Sequence, residues 1–472
     1  MHAFRDLLTA RRPDAILERM PATSGNADHF RTALLVLAGL GAALGASAQF
    51  VSSDDHVKPL PLEHWLAQGD QTHIRWSARV LGVELSNQQR LRARIELDVD
   101  GTELVKRRGK GYLIMAVQLN DSQNRPYQTR KAIDLNRIED AASKLNVTYT
   151  QDALVTPGAY RVMLGVLDTA TGEHSVLERT LNAGAIRNDP LPAAWHDLPP
   201  VEFLQEADSP DSLYLPYLSG RLNLPVETRH PVRVELMVNA SPSSSGQNPR
   251  TGQTNNRTRD ELVPALKVLS QVNVLRGALN VSILDLTRRQ VVFEQREVRD
   301  LDWPTLRQAL VTADPNVIDV HALENREKNA QFFVEQVGRR IAGAATREAQ
   351  SGQARTNPDL NQAVPVLIVL SGPMTLNSGE DLHPIKASRE SVGGVFYIRY
   401  HSVSVRPIPS PLDEPRRGRR GFSSLPSAPA FTEPLDSLEH TLKPLQPRVF
   451  DVYTPEQFRK TLATVLSEIS KL

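Results

Sequence analysis

The run Pro231-Val232-Arg233-Val234-Glu235-Leu236-Met237-Val238 ends in Asn239-Ala240-Ser241-Pro242-Ser243, and the reading of the fold turns on this junction. The apolar run reads as a buried strand, and the hydroxyl-rich stretch behind it reads as a loop. Open α/β sheets bind ligands in the crevice outside the carboxyl ends of their strands. Asn239, Ser241 and Ser243 are therefore the first candidate ligand-binding residues.

Downstream, strands and helices alternate. Leu262, Leu266, Leu269 and Val272 fall at helical spacing and predict an amphipathic helix. Ala278–Leu286 and Gln290–Glu294 predict a hairpin turning at Thr287-Arg288-Arg289. Asp302 can cap a helix carrying Leu306 and Leu310, and a longer helix is expected from about His321 to Ala342. Pro365–Leu370 is almost wholly apolar, as a strand covered on both faces must be. It runs into Ser371-Gly372-Pro373, which places Ser371 at a second strand end. Val395–Tyr400 is a further strand. Near the C-terminus Thr454, Pro455 and Gln457 form a helix start, with cap, first-turn proline and capping box. Phe458, Leu462, Val465, Leu466 and Ile469 continue it as an apolar stripe. Such alternation predicts a mostly parallel sheet wrapped by helices over 230–472. A Pro/Arg-rich loop at 403–447 interrupts it, with Arg416, Arg417, Arg419 and Arg420 read as solvated surface.

Upstream the period changes. Leu91, Ala93, Ile95, Leu97 and Val99 alternate with Arg92, Arg94, Glu96 and Asp98, the period-two pattern of a half-buried strand. Asp100-Gly101 reads as a turn, Tyr112–Leu119 as a second strand, and Pro157-Gly158 as the start of a third that turns at Thr171-Gly172 into Ser175–Leu181. The segment Ile138–Leu145 reads as either a short helix or a loop. Strands separated by turn signals predict a β-sandwich of the immunoglobulin or fibronectin kind over 58–184. Residues 185–229 are Pro-rich but carry Trp195, Phe203, Tyr214 and Tyr217, which predicts an ordered linker lying against a domain, since a free linker would be richer in Ser and Gly.

The first 48 residues read as an export signal: Arg31, the uncharged run Ala33–Leu44, then Ala46-Ser47-Ala48. The other reading, an uncleaved anchor, needs about 20 apolar residues, and the strongly apolar part here is shorter. Thirty residues ahead of that run is long for a signal, so Met20 competes with Met1 as the start. The predicted location is periplasmic or extracellular, with no membrane span in the mature chain. Beyond Ala48 the chain carries 50 basic and 50 acidic residues. That balance argues against nucleic acid or a polyanionic surface as the main partner. The 472 residues include no cysteine, which removes zinc–thiolate sites, thiol nucleophiles, disulfides and a lipid-modified N-terminal Cys.

Six stretches carry a family resemblance: Pro264–Val274, Ala278–Arg288, Leu301–Pro304, Leu323–Arg340, Val366–Met374 and Leu382–Ile385. Together they resemble the secreted VWFA-related proteins of Acidobacteria over 230–472. The resemblance implies a Rossmann-like domain of the von Willebrand factor A type behind the sandwich. In that family a D-x-S-x-S loop, a Thr from a second loop and an Asp after the fourth strand hold Mg²⁺, whose open position takes a ligand carboxylate. Here the first position is Asn239, with Ser241 and Ser243 matching, while the post-strand Asp falls at Gly372 and Thr312 is a poor match for the Thr. A hard cation wants anionic oxygen, so the metal site implied at Asn239, Ser241 and Ser243 is expected to be degenerate and no cofactor is expected.

Catalytic motifs do not emerge. Twelve His are scattered without H-E-x-x-H, and neither G-x-S-x-G nor a phosphate loop occurs. His383 and His401 read as structural, and Asp285 and Asp319 as hydrogen-bonded turn or strand-end residues. The expectation is an exported, non-catalytic module that binds a protein partner through Asn239, Ser241, Ser243 and Ser371. Two alternatives stand: Mg²⁺-bridged adhesion, which needs a carboxylate not yet placed, and a hydrolase, which needs a base beside Ser241 or Ser371.

Overall fold

A computed structural model describes residues 50–51, 59–69, 74–109, 111–204, 218–241, 257–312, 327–342, 363–374, 385, 387–401 and 436–472. The export signal, Ser243, Tyr214, Tyr217, His383, Asp319 and the four arginines of the 403–447 stretch lie outside them. The chain mixes α and β structure and is rich in strand. Among the described residues no helix is long and apolar enough to cross a membrane.

The N-terminal half is built from two antiparallel sheets. One holds β1 (Phe50–Val51), β5 (Pro126–Asp134), β4 (Tyr112–Asn120), β7 (Gly158–Asp168) and β8 (His174–Ala183) in that order. The other holds β2 (Trp76–Leu85), β3 (Leu91–Asp100), β6 (Asn146–Val155) and β9 (Val201–Phe203). Strand β3 alternates buried and half-buried at every residue, so its apolar set lines the inter-sheet core and its charges face out. Strand β4 is buried on both sides because a short helix, α1 (Leu62–Gln68), covers the outer face through Leu62, Trp65 and Leu66. Gly165 permits that cover: a Cβ there would sit 2.7 Å from Leu62 Cδ2. Strands β2, β5 and β6 escape sequence reading for different reasons: β2 alternates but slips register between Val80 and Val83, β6 buries the polar Gln151 on its inner face, and β5 is half-buried almost throughout. Asp100-Gly101 is no simple turn. Asp100 caps helix α2 (Gly101–Lys106), accepting from Thr102 N at 2.8 Å. Ile138–Leu145 contains a single 3₁₀ turn, Asp140–Lys144.

The C-terminal half is organised by a six-stranded sheet in the order β14 (Gln290–Gln295), β13 (Gly277–Asp285), β11 (Val232–Asn239), β15 (Val364–Ser371), β16 (Gly394–Tyr400), β17 (Arg448–Val452). Every neighbour is parallel except β14, which returns antiparallel from β13 through the Thr287–Arg289 hairpin. Helices α3 (Arg257–Leu269), α4 (Trp303–Thr312) and α7 (Pro455–Ile469) pack on one face, with Leu266, Leu306 and Leu462 against Val234, Leu236 and Ile398. Helices α5 (Glu327–Ala342) and α6 (Ser437–Leu442) cover the other, with Phe333 and Leu438 against Met237, Leu367 and Tyr397. Both faces being covered explains why β15, and β11 from Leu236 to Val238, read as continuous apolar text.

In this half two further readings change. Helix α3 stops at Leu269, and Val272 belongs instead to β12 (Val272–Val274), which pairs with β10 (Leu224–Val226). Ser270 ends the helix by donating its hydroxyl to Lys267 O, and the Val-Asn-Val that follows suits a strand. The stretch 403–447 is not all loop: Asp436 caps α6, and Leu438, Leu442 and Leu445 are fully buried. Residues 185–229 divide their contacts, β9 pairing with β6 of the sandwich and β10 with β12 of the C-terminal half. A single apolar cluster then runs through both halves by way of Ala194, Trp195, Leu222 and Leu224.

Candidate functional site

Strand β11 feeds α3 on one face, while the chain entering β15 comes from α5 on the other. The strand order reverses between β11 and β15, and the carboxyl ends of these two strands make the crevice where open sheets bind ligands. Asn239 ends β11, Ser371 ends β15, and both are buried. Asn239 Nδ2 donates to Ser371 Oγ at 2.9 Å and lies 3.2 Å from Met374 Sδ. Asn239 Oδ1 accepts from Ser241 N at 3.1 Å, and Ser241 Oγ accepts from Leu286 N at 2.6 Å and donates to Asp285 Oδ1 at 3.4 Å. Three of the four candidates are thus brought into one buried chain of hydrogen bonds.

That chain extends through residues without a local sequence signal. Ser371 Oγ donates to Gly372 O and faces the Tyr397 hydroxyl. Tyr397 OH donates to Asp436 Oδ2 at 2.7 Å. Burial first, and the Asp436 carboxylate second, push the Tyr397 hydroxyl well above the usual phenol range. Asp436 Oδ1 accepts from Leu438 N at 3.1 Å and Met374 N at 3.4 Å, so one side chain caps α6 and pins the turn after β15. Arg399 reaches Asp436 at 3.2 Å, Glu439 at 2.9 Å and Asp451 at 2.6 Å. Its ion pair holds the Asp451 carboxyl below the usual range, and His401, 2.6 Å from the same oxygen, adds to the effect. At the rim, the His401 ring stacks on Tyr453 with centroids 4.3 Å apart and planes 13° from parallel, and Tyr453 is 45% exposed.

The described donors do not fit a hard divalent cation. Asn239 turns its amide N–H groups into the space between β11 and β15, and its only oxygen already accepts a peptide N–H. Asp285, the nearest carboxylate to Ser241, spends Oδ1 on Thr287 Oγ1 at 2.6 Å and Arg288 N at 3.1 Å, while the Arg288 guanidinium lies 3.9 Å from Oδ2. A cation would have to compete with these bonds for Asn239 Oδ1, Ser241 Oγ and Asp285 Oδ1, with a guanidinium already beside Oδ2. Among the described residues no group of three or more His, Asp or Glu could hold a metal ion.

Compared with known protein families and with curated proteins, the chain matches none. Among solved structures it is similar to the Northeast Structural Genomics Consortium target SoR45, at 13% identity over 24% of this chain and 87% of that one, with a TM-score of 0.16. The putative ApaA protein from Bordetella pertussis is similar at 13% identity over 25% of this chain and 98% of that one, with a TM-score of 0.15. A glycosyl hydrolase family 2 member from Bacteroides cellulosilyticus matches at 9% identity over 62% of this chain and 36% of its own, with a TM-score of 0.16.

Proposed function

We propose that this chain is an exported, non-catalytic protein-binding module that engages its partner at the carboxyl-end face of the six-stranded sheet. The observation that carries the reading is the closed state of the crevice. Ser371 gives its hydroxyl to Gly372 O, and the carboxylate beside Ser241, Asp285, lies at a long 3.4 Å with the same oxygen already accepting from Thr287 Oγ1 and Arg288 N, so it is not held as a free base. A nucleophile needs a base within hydrogen-bond reach and a third group to orient that base. What the face offers to a partner is its rim, where Tyr453 lies exposed beside His401, Asp451 and Glu439. Exposed aromatics ringed by polar groups are the anchors that dominate protein interfaces.

The finer architecture we infer is an A-type domain of the von Willebrand factor kind. The strand order β14-β13-β11-β15-β16-β17, with only β14 antiparallel, supports it. A Mg²⁺-bridged adhesion site draws its one argument from Asp285, 3.4 Å from Ser241, and loses it to the Thr287 and Arg288 bonds on that carboxylate. Export rests on Ala33–Leu44 and Ala46-Ser47-Ala48. The test is capture from an envelope fraction by wild type and by Tyr453→Ala. A partner held by the rim is retained about tenfold less or worse by the variant at unchanged melting temperature, whereas Tyr453→Phe keeps it. Equal recovery by all three would sink the proposal.

A further inference from the structure

At the opposite end of the sheet a short strand edge borders a groove. Strands β10 and β12 run parallel, Leu224 opposite Val272 and Val226 opposite Val274. Leu275 N donates to Val226 O at 3.0 Å, which fixes the phase of the ladder. In a parallel pair, alternate residues of a strand direct their N–H and C=O to one neighbour. Strand β12 therefore spends Asn273 and Leu275 on β10, with Pro225, which has no N–H, at the position that needs none. The peptide groups of Val272 and Val274 point the other way, and among the described residues β10 is the only strand paired with β12.

Beyond that free edge lies a groove of about 600 Å³. Its far wall is Glu297–Arg299, which prolongs the line of β14 through the bond from Val298 N to Leu279 O at 2.7 Å. The slot thus has a strand's hydrogen-bonding edge on one side and a strand-like segment on the other. Leu275 stands at its rim, 55% exposed. The lining carries Asp197 and Glu297 against Arg299 and an Arg221 already paired with Asp300, so no strong excess of one sign is left to favour an ionic ligand over one read by its backbone. Buried peptide groups require partners, and an unpaired edge next to a groove is the geometry by which an extended peptide adds to a sheet.

We propose that an extended, uncharged segment of a partner protein binds here as an added strand along Val272–Val274, with an apolar side chain against Leu275. Two measurements test it on the whole chain. Native-state hydrogen exchange should find the amides of Val272 and Val274 exchanging far faster than those of Asn273 and Leu275. Phage-displayed random heptapeptides selected on the protein should yield binders that protect the two valine amides. Val274→Pro removes the groove-facing N–H in an edge position where proline is tolerated, and also trims a buried side chain, so it is read at matched melting temperature; it should weaken those peptides about tenfold. Leu275→Lys, at an exposed site where folding is not at stake, should do the same. Equal protection of all four amides, or no peptide sensitive to either variant, would overturn the proposal. So would a concentration-dependent dimer abolished by Val274→Pro, which would give the edge to a second copy of this chain.

Discussion

Two buried polar clusters, one at the end of the six-stranded sheet and one on the far side of helix α7, are built on opposite principles. At the crevice between β11 and β15, Asn239 bonds Ser371 Oγ and Ser241 N, and Ser241 and Tyr397 close on Asp285 and Asp436. Where the sandwich meets α7, the cluster is dominated by full charges. Arg459, 2% exposed, grips Asp189 through two nitrogens at 2.6 and 2.8 Å, bonds Leu191 O, and lies 4.4 Å above the Trp195 ring. Trp195 Nε1 donates to Gln89 O, and Gln89 Nε2 reaches Pro455 O. Nearby, Arg90 pairs with Glu202, and its Nε and Nη2 find no partner among the described residues. The crevice is a satisfied network holding loops of one domain. The clasp ties residues 189–195 and the loop at Gln89 to helix α7 with charges that are buried, which predicts a much larger penalty for breaking it.

The largest effect should come from Arg459→Ala. Removing one partner of a buried ion pair leaves the other charged and dry, at a cost of about 3–5 kcal/mol, measurable by denaturant unfolding. Its pH dependence has a defined sign. Burial alone would raise the Asp189 carboxyl, but its bonds to Arg459 and Leu191 N more than offset that and hold it below the usual range. The stabilisation is therefore complete above the unfolded value near 3.8 and disappears as pH falls through the lower folded value. If Arg459→Ala cost no more than a crevice mutation, the contrast would collapse.

Asn239→Asp comes next. It turns the two N–H groups facing Ser371 and Met374 into a buried carboxylate oxygen, and about 2 kcal/mol should be lost, read from the unfolding midpoint in EDTA. A smaller and opposite change is expected at Lys267, whose ammonium burial holds at about pKa 8 in place of 10.5. Below pH 8 both states are protonated and the burial cost is fully present. Between pH 8 and 10.5 the folded state alone sheds the proton, so wild-type stability rises with pH. Lys267→Met should gain on the order of 1 kcal/mol at pH 7 after allowance for solvent screening, and that gain should vanish by pH 10.5. The smallest effect belongs to Thr454→Ala, about 1 kcal/mol or less, since Thr454 Oγ1 accepts from Gln457 N at a long 3.3 Å.

Much of the architecture was legible because burial imposes period. Leu91–Val99 alternates in sequence and in exposure alike, and the apolar runs at β11 and β15 reflect a sheet covered on both faces. The start of α7 was legible too, although Gln457 Oε1 closes its box on Tyr453 N, one residue before the cap. Reading failed where the deciding partner is remote. Val272 fits a helical stripe until β10 claims it. Asp436 lies far along the chain from Met374 and inside Pro/Arg-rich text, so nothing local marks it as the residue that pins the crevice. Asn239, Ser241 and Ser371 could be named from their strand-end positions. That their hydrogen bonds are spent on each other depends on distances that no spacing encodes.

The most direct test of the closed crevice is thermal unfolding of the whole chain in EDTA and then in millimolar Mg²⁺ or Mn²⁺. An ion bound at 100 times its Kd would add about 2.7 kcal/mol, a shift of a few degrees for a chain this size. The same melting temperature in both conditions, for wild type and for Ser241→Ala, is the predicted result. A cation-dependent rise in wild type that Ser241→Ala removes would contradict it and make the crevice a metal site.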